Sequence, residues 1–330
     1  MAGTDDDIKN QCRVNNLYSL LLNTLCTRKK HFLRYLNIIY LAIMLKRTLF
    51  IFCIAFATSN VKAQYESNIH QGEFGAAIGL AHYYGDLNTS AAMNRPKFSG
   101  GLFFIKQFNN YVGVKIGADY AFLAYSDTYS KNETQKRRNL SFNTNVWEAS
   151  LSGYFNFFKF LPGVEGFNYT PYVSLGVGVF SYDPYAYLNG TKYFLRPLGT
   201  EGQGSTLYPD RKQYSSMAVC FPLTVGIKYS LNENFNVFGE IGYRFTNTDY
   251  LDDVSTTYAG TDAFPAIPQP DGSTAPSPAY FLQDRSYETG TPIGIKDRQR
   301  GNSLQKDAYV MLHVGLSYNL FSYKCPSPKN

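Results

Sequence analysis

The sequence AVCFPLTVGIKYSLNENFNVFGEIGYRFTNTDYLDDVSTTY, residues 218–258, decides the fold class. Apolar and small or polar residues alternate through residues 219–231, and the alternation resumes in residues 235–246 after the turn at 232–234. Because successive side chains of a strand point to opposite faces, the pattern predicts two strands, each with an apolar and a polar face. Each strand is about a dozen residues long, which matches the tilted span of a strand across a lipid bilayer.

The same alternation occurs in six further segments, so the chain is predicted to contain eight strands. Short and long connections alternate between these strands. Bacterial outer-membrane barrels have short periplasmic turns and long extracellular loops, and an even strand count leaves both termini in the periplasm. The prediction is therefore an all-β fold, an eight-stranded antiparallel up-and-down transmembrane β-barrel with long extracellular loops. The predicted strands cover residues 73–84, 98–108, 111–122, 146–158, 172–182, 219–231, 235–246 and 307–321.

Composition excludes several other classes of protein. The chain has 330 residues, of which 17% are charged, and no uncharged apolar run is long enough for a transmembrane helix. The net charge of +6 is small and much of it lies near the N-terminus, so no nucleic-acid partner is expected. The five cysteines are far apart and show no metal-ligand spacing. A multi-helix membrane protein is therefore excluded, and no metal is expected.

The N-terminal part of the chain predicts a leader. In residues 44–63, the basic residues Lys46 and Arg47 precede a short apolar segment, and the stretch ends on the small residue Ala63. This order is typical of a secretory signal peptide, whereas an uncleaved membrane anchor would need a longer apolar segment. We interpret residues 1–43 as an upstream extension from a misassigned start, and residues 64–330 as a single outer-membrane barrel domain.

Charged residues occur on the polar faces of the predicted strands, which would point into the barrel. An eight-stranded barrel is just wide enough to be filled by side chains, and enclosed charges are costly unless they are paired. We interpret these residues as a structural network that fills the lumen; the alternative is a narrow path for ions or solutes. Three are acidic, three are basic and one is a histidine: Lys115, Asp119, Glu148, Lys228, Glu240, Arg244 and His313.

Two groups of residues outside the strands are candidate docking sites. Asp249, Asp252 and Asp253 cluster at the mouth of the last long loop, where we expect a rim-capping or docking function. A hard cation is the alternative there, although the spacing does not follow the calcium-loop pattern. Phe160 and Leu161 lie in the longest of the short-side turns beside charged residues, and we expect them to be exposed. The alternative for this pair is that it rests on the membrane interface.

No arrangement of residues predicts catalysis. His82 could serve as a base, but strand spacing places no serine as its nucleophile. The glycine-rich segment 199–205 lacks the Lys-Ser/Thr ending of a phosphate loop, so it indicates loop geometry instead. We therefore expect a protein that is not an enzyme, with no cofactor and no small-molecule substrate.

Two further expectations concern one pair of neighbouring strand positions and one long loop. Val225 and Thr224 should point to lipid and to the lumen respectively, so an arginine should be tolerated better at Thr224. The Pro- and Ser-rich segment 263–279 shows no alternation and has little to bury, so the barrel should tolerate its removal.

Four stretches of the chain are distinctive. They are YYGDLN at 83–88, NLSFNTNVWEASLSGYFNFF at 139–158, FLRPLGTEGQG at 194–204, and residues 218–258, whose TDYLDDVSTTY is the most specific. Together they resemble the PorG family of outer-membrane barrels in the type IX secretion system, over about residues 73–323. The resemblance implies a non-enzymatic barrel linked to a periplasmic ring of PorK/GldK-type and PorN/GldN-type proteins, and it offers no catalytic residues.

The alternative function belongs to a different class. A small passive pore, or an adhesin-like barrel whose long loops bind extracellular partners, would have the same strand pattern and would also need outer-membrane lipid around it. Fold does not determine function, so the strand pattern alone does not separate this alternative from a secretion-system component.

Overall fold

The computed structural model describes residues 70–90 and 92–321. The expected signal peptide, the upstream extension and Cys325 with its C-terminal tail lie outside the described residues.

Within the described residues, eight long strands form a barrel and shorter elements lie in the loops. The long strands are β1 (His70–Tyr84), β2 (Lys97–Gln107), β3 (Val112–Ser126), β4 (Ser141–Asn156), β5 (Tyr169–Ser181), β8 (Met217–Ser230), β9 (Phe235–Thr246) and β12 (Ala308–Phe321). The short strands are β6 (Tyr185–Leu188), β7 (Thr191–Phe194), β10 (Ile267–Pro268) and β11 (Thr274–Ala275). The α-helices are α1 (Glu133–Arg138), α2 (Leu195–Leu198) and α3 (Pro278–Leu282).

Each long strand pairs antiparallel with the long strands before and after it in the chain. β1 also pairs with β12, with Glu73 opposite Asn319 and Tyr84 opposite Ala308, so the sheet closes on itself. This closure confirms the predicted fold class, an eight-stranded antiparallel up-and-down β-barrel.

The predicted first and last residues of β9 agree with the structure. Among the eight long strands, those of β4 differ most from the structure. β4 begins at Ser141 rather than at residue 146, because β3 continues to Ser126 and pairs with it. Phe142 of this added segment is buried inside the barrel, whereas Asn145 points outward and is exposed. A polar outer face lacks the apolar alternation of a lipid-facing strand, so the sequence pattern did not indicate this end of β4.

The outer wall of the barrel is apolar and the inner wall is polar. Outward side chains such as Ile78, Ile116 and Val314 are each more than half exposed. On β8, Val225 is 50% exposed and Thr224 is 4% exposed, which confirms the predicted faces. An apolar exposed band around a closed barrel is the surface that lipid requires.

The long loops form a folded unit, which we call the loop cap: residues 85–90, 92–96, 127–140, 182–216 and 247–307. It carries the three helices, the hairpins β6–β7 and β10–β11, and buried apolar side chains such as Leu87, Leu195 and Leu251. No helix in the described part of the chain is long and apolar enough to cross a membrane.

One expectation about the cap is wrong. The segment 263–279 was expected to have little to bury, but Ala263, Phe264 and Ala279 pack with Ala259 in a small buried cluster. The β10–β11 hairpin and its tip, within residues 267–275, are largely exposed. Removing the whole segment would therefore disrupt the cap.

Candidate functional site

The inward faces of the strands carry ionic groups at successive heights in the barrel. At the short-turn end, the Lys228 ammonium contacts the Glu73 carboxylate. Halfway up, Lys115 Nζ lies 2.9 Å from Glu240 Oε2, and His313 Nδ1 lies 3.9 Å from Glu240 Oε1. Each charge therefore has a partner of opposite sign, which buried charges require.

The third ionic group lies below the loop cap. Arg244 Nε is 3.3 Å from Glu148 Oε2, and Arg244 Nη2 is 3.8 Å from Asp119 Oδ2. The Tyr309 hydroxyl donates a hydrogen bond of 2.7 Å to Glu148 Oε2. A Cβ atom at position 242 would collide with the Arg244 guanidinium, so Gly242 makes the room that this side chain occupies.

All seven charged residues identified from sequence therefore lie in the lumen, but the set was incomplete. Glu73 is fully buried and binds Lys228. The sequence predicted three acidic and three basic residues in the lumen, and Glu73 raises the number of acidic residues to four. A signal for it was present in the sequence, since Glu73 has the same parity as the inward residues Gly75 and Ala77 of β1.

Aromatic side chains fill the space between the ionic groups. Phe103, Tyr154, Tyr172 and Phe238 form one buried cluster across the lumen. The Tyr172 hydroxyl donates a 2.7 Å hydrogen bond to Glu240 Oε2, which ties the aromatic layer to the ionic one. The lumen is a packed interior, and this gives no support to the alternative of a path for ions or solutes.

The short-turn residue Phe160 is buried, which contradicts the expectation of an exposed docking pair. Phe160 is 1% exposed and its ring lies 4.6 Å from Lys228 Nζ, so it closes the short-turn end of the lumen. Leu161 is half-buried, and its backbone N–H donates to Phe167 O at 2.9 Å. The turn folds its apolar residue inward because that residue can cover a buried ammonium there.

In the loop cap, Arg300 and Glu201 form the central ion pair. Arg300 Nη1 lies 3.1 Å from Glu201 Oε1, and both side chains are buried. The same guanidinium donates to the backbone oxygens of Asp253 and Gln283 at 2.5 and 3.1 Å. Glu201 also accepts hydrogen bonds from the backbone N–H groups of residues 255 and 256. This pair thus joins four separate segments of the long loops, around residues 201, 253–256, 283 and 300.

Glu201 was not identified from sequence. It lies in the glycine-rich segment 199–205, where Gly199, Gly202 and Gly204 have positive φ values, as loop geometry requires. The segment therefore has the predicted conformation, but the partners of its one acidic residue come from sequence positions about 50 and 100 residues away, which local patterns do not indicate.

A second buried arginine ties the first two long loops to the last. Arg138 forms a bidentate pair with Asp127, with N···O distances of 2.7 and 2.8 Å. It also donates to the backbone oxygens of Arg300 and Asp86 at 2.6 and 3.0 Å. Asn139, with φ of 57°, ends α1 immediately after it.

The three aspartates proposed as a docking or cation site are buried inside the cap, so they cannot form an exposed docking surface. Asp249 accepts from the Ser255 hydroxyl at 2.5 Å, and Asp252 accepts from the Tyr83 hydroxyl at 2.5 Å. Asp253 accepts from the Tyr214 hydroxyl at 2.7 Å and from Thr200, and it lies 3.7 Å from Arg300. Their carboxylates hold the loop together from within. Among the described residues, no group of side chains is arranged to hold a metal ion.

Burial raises the pKa values of these carboxyl groups. The pKa of Asp249 rises to about 7 because desolvation outweighs its hydrogen bond from Ser255. The pKa of Asp253 rises to about 6, since desolvation outweighs the attraction of Arg300. Burial also raises the pKa of Asp127 despite its pairing with Arg138. For Asp249 and Asp253, a folded-state pKa above the unfolded value of about 3.9 means that the protonated groups favour folding at low pH. This contribution is lost progressively as pH rises from about 4 to 6–7.

We therefore expect the loop cap to be more protease-resistant at pH 5.5 than at pH 8. Replacing Asp249 with asparagine removes one titrating group, so the variant should resist proteinase K better than the unchanged protein at pH 8, by about tenfold or more in cleavage rate. At pH 5.5 the difference between the two proteins should be smaller than at pH 8, because Asp249 is still protonated in the closed cap and ionises only in the open one. Comparing the two proteins at each pH removes the effect of pH on the protease itself; equal cleavage at pH 8 would contradict the prediction.

The fold and the packed lumen define a closed β-barrel with an apolar outer wall, the architecture of outer-membrane barrels. A family profile described as a domain of unknown function, DUF6089, matches residues 46–262, and the chain belongs to this family. No curated protein matches the chain.

Several solved structures are similar to this chain. Neisserial surface protein A has 11% identity over 77% of this chain and 100% of its own, with a TM-score of 0.36. The N-terminal β-barrel domain of Pseudomonas aeruginosa OprF has 11% identity over 76% of this chain and 100% of its own, with a TM-score of 0.32. A major outer membrane protein from Thermus thermophilus has 14% identity over 76% of this chain and 100% of its own, with a TM-score of 0.35.

Proposed function

We propose that the protein is a non-enzymatic outer-membrane barrel of the type IX secretion system, which anchors or aligns a periplasmic ring of PorK/GldK and PorN/GldN type. Lipid of the outer membrane would surround its apolar wall. Both termini and the short turns would face the periplasm, and the loop cap would face outward.

The observation that carries this proposal is that two of the stretches resembling PorG each contact the last of them, in the loop cap or at its boundary with the barrel. Tyr83 of the first stretch donates to Asp252 of the last, and Glu201 of the third accepts from the Ser255 and Thr256 N–H groups. The resemblance therefore concerns one cooperative structural unit rather than scattered loop residues.

The filled lumen favours an anchoring function over a conducting one. Ionic and aromatic layers occupy the barrel from Glu73 to Arg244, and Phe160 covers its short-turn end. We expect the purified barrel to give no steady conductance in planar bilayers. A porin measured in the same bilayers is the conducting control. Stable unitary currents would support the passive-pore alternative instead.

An anchoring barrel must offer a surface on its periplasmic side. Because Phe160 is buried, the exposed residues of the same turn are the better candidates: Val164 is 45% exposed and Phe167 is 40% exposed. Phe167 also lines a groove of about 320 Å³ with Phe158 and Tyr169, and Lys159 Nζ lies 5.1 Å from its ring. Exposed apolar surface beside a charge is typical of docking sites.

Two variants test the proposal. Val164→Ser combined with Phe167→Ser should reduce type IX cargo secretion and co-purification of the ring proteins, while the barrel still reaches the outer membrane. Deletion of residues 268–274 removes only the exposed β10–β11 tip, so secretion should stay close to that of the unchanged protein. The reverse result, with the deletion blocking secretion and the turn variant unaffected, would contradict a periplasmic anchor.

That reverse result would support an adhesin-like barrel, the second candidate. The observation that favours it is the folded cap, which presents exposed apolar side chains such as Leu304 and Ile295, 92% and 66% exposed. An ordered surface of this kind suits an extracellular partner.

A further inference from the structure

Glu73 connects a lysine and an asparagine at the short-turn end of the lumen. One oxygen of its carboxylate, Oε1, accepts from Lys228 Nζ, and the other, Oε2, accepts from Asn236 Nδ2 at 3.1 Å. Lys228 is paired with Phe238 and Ser230 with Asn236 across the β8–β9 hairpin. Lys228 and Asn236 are therefore diagonal neighbours on one face, within reach of a long side chain.

The carbonyl of the Asn236 side chain is itself polarised. Asn319 Nδ2 donates a 3.1 Å hydrogen bond to Asn236 Oδ1, where negative charge would develop if a nucleophile attacked the carbonyl carbon. Ser317 donates to Glu73 Oε2 at 2.6 Å and so fixes the orientation of the carboxylate.

Water is excluded from this cluster. Glu73 and Asn236 are 0% exposed and Lys228 is 2% exposed. The aromatic rings of Tyr154, Phe160 and Tyr172 surround Lys228 Nζ at 5.0, 4.6 and 5.9 Å. A dry, preorganised site strengthens every electrostatic interaction within it and prevents hydrolysis of a reacting carbonyl.

We propose that Lys228 and Asn236 form an intramolecular isopeptide bond, with Glu73 as the proton-transfer group. The Glu73 carboxylate takes a proton from the ammonium, and the neutral amine attacks Asn236 Cγ. The new bond joins Lys228 Nζ to Asn236 Cγ, and the bond from Cγ to Nδ2 breaks.

The protons and charges of this step balance without another reactant. Glu73 transfers a proton from the attacking nitrogen to the leaving nitrogen, so one molecule of ammonia departs. The proton that came from the ammonium stays on Glu73, and the buried ion pair becomes a neutral amide beside a neutral carboxyl group. Both sides of the reaction have zero net charge, so no uncompensated charge remains in the lumen.

Such a bond would covalently close the β8–β9 hairpin at the short-turn end. Trypsin would then fail to cleave after Lys228 in the fully denatured protein. The expected product is one peptide of residues 213–244, lighter by one ammonia than its sequence requires. Lys115 is an internal control, because it is also in the lumen but pairs with Glu240 rather than with a carboxamide.

The test is tandem mass spectrometry of a denatured tryptic digest of the full-length protein purified from membranes. Fragment ions must place the loss of ammonia between Lys228 and Asn236, because cyclisation of Gln213 at the peptide's N-terminus would lose the same mass. Complete cleavage after Lys228, at the rate seen after Lys115, would overturn the proposal. A product joined to Glu73 with loss of water would overturn it as well.

Glu73→Gln tests the assigned chemistry separately from folding. Glutamine keeps the size of the side chain but cannot accept the proton, so the cross-link should be lost and cleavage after Lys228 restored. Heat-modifiable migration on gels shows whether the variant barrel is folded. A cross-link that persists in the folded variant would overturn the function assigned to Glu73.

Discussion

Replacing Arg300 with methionine is expected to open the loop cap while leaving the barrel folded. The guanidinium is 3.1 Å from Glu201 and 3.7 Å from Asp253, and it also holds two backbone oxygens. Methionine fills a similar volume but leaves two buried carboxylates without their cation. Breaking a buried ion pair from one side costs about 3–5 kcal/mol.

A loss of that size should raise the population of the open cap by about a hundredfold or more, since about 1.4 kcal/mol corresponds to a factor of ten. Limited trypsin digestion measures it through cleavage after the exposed Lys296, within the cap. Heat-modifiable migration should be unchanged, because the hydrogen-bond partners of the Arg300 side chain, Glu201, Asp253 and Gln283, lie in the cap.

Arg298→Met is the matched control for Arg300→Met. Arg298 lies two residues away and is exposed, and its hydrogen bond to Ile293 O is 3.2 Å long. An exposed contact of this kind contributes little, so the control should digest like the unchanged protein. Equal protection of all three proteins would show that the buried ion pair does not hold the cap closed.

Replacing Val225 with arginine is expected to reduce the folded fraction of the barrel. Val225 is 50% exposed and lies opposite Val173 and Ile241 in the middle of the apolar wall. An arginine facing lipid near the bilayer midplane costs about 2–4 kcal/mol in barrels, and the cost falls to about 0–1 near the interfaces. Heat-modifiable gel migration after extraction reports the folded fraction.

The matched control is Leu231→Arg. Leu231 has the same parity as Val225, is 58% exposed and lies just beyond the end of β8, about 20 Å along the strand. It should therefore lie near the interface and tolerate arginine. A loss at Leu231 equal to that at Val225 would mean that the apolar band is not centred where the structure places it.

Thr224→Arg shows how the structure changes an expectation from sequence. The alternation of the strand correctly places Thr224 inward. From the sequence, an arginine at this position is expected to meet an acidic partner or water in the lumen. In the structure Thr224 is 4% exposed and its hydroxyl lies beside Gly242 in a filled lumen. Arginine at this position has no room, so we expect this variant to misfold too, through overpacking rather than through lipid exposure.

The strands could be predicted from sequence because their signal is local. A strand that separates lipid from a polar interior must alternate with period two, and residues 219–246 show that alternation without any tertiary information. The same rule identified seven of the charged lumen residues by parity alone. It failed for residues 141–145 of β4, where the outer face is polar and lies beyond the apolar band.

The loop cap could not be predicted in the same way. Glu201 meets Arg300, and Asp252 meets Tyr83, across 99 and 169 positions of sequence. Polar loop residues have no periodicity that distinguishes a buried carboxylate from a solvated one. The sequence therefore predicts a rim-capping or docking cluster for Asp249, Asp252 and Asp253 but does not show that they are buried inside the cap.

The sequence by itself determined the barrel, its strand number and the inward or outward direction of most strand residues, because period-two alternation is a property of neighbouring residues. Only the tertiary structure decided which charges pair, that Phe160 closes the lumen and that the long loops fold into a cap. These depend on side chains from distant strands meeting inside one closed sheet, where burial makes each unpaired charge costly.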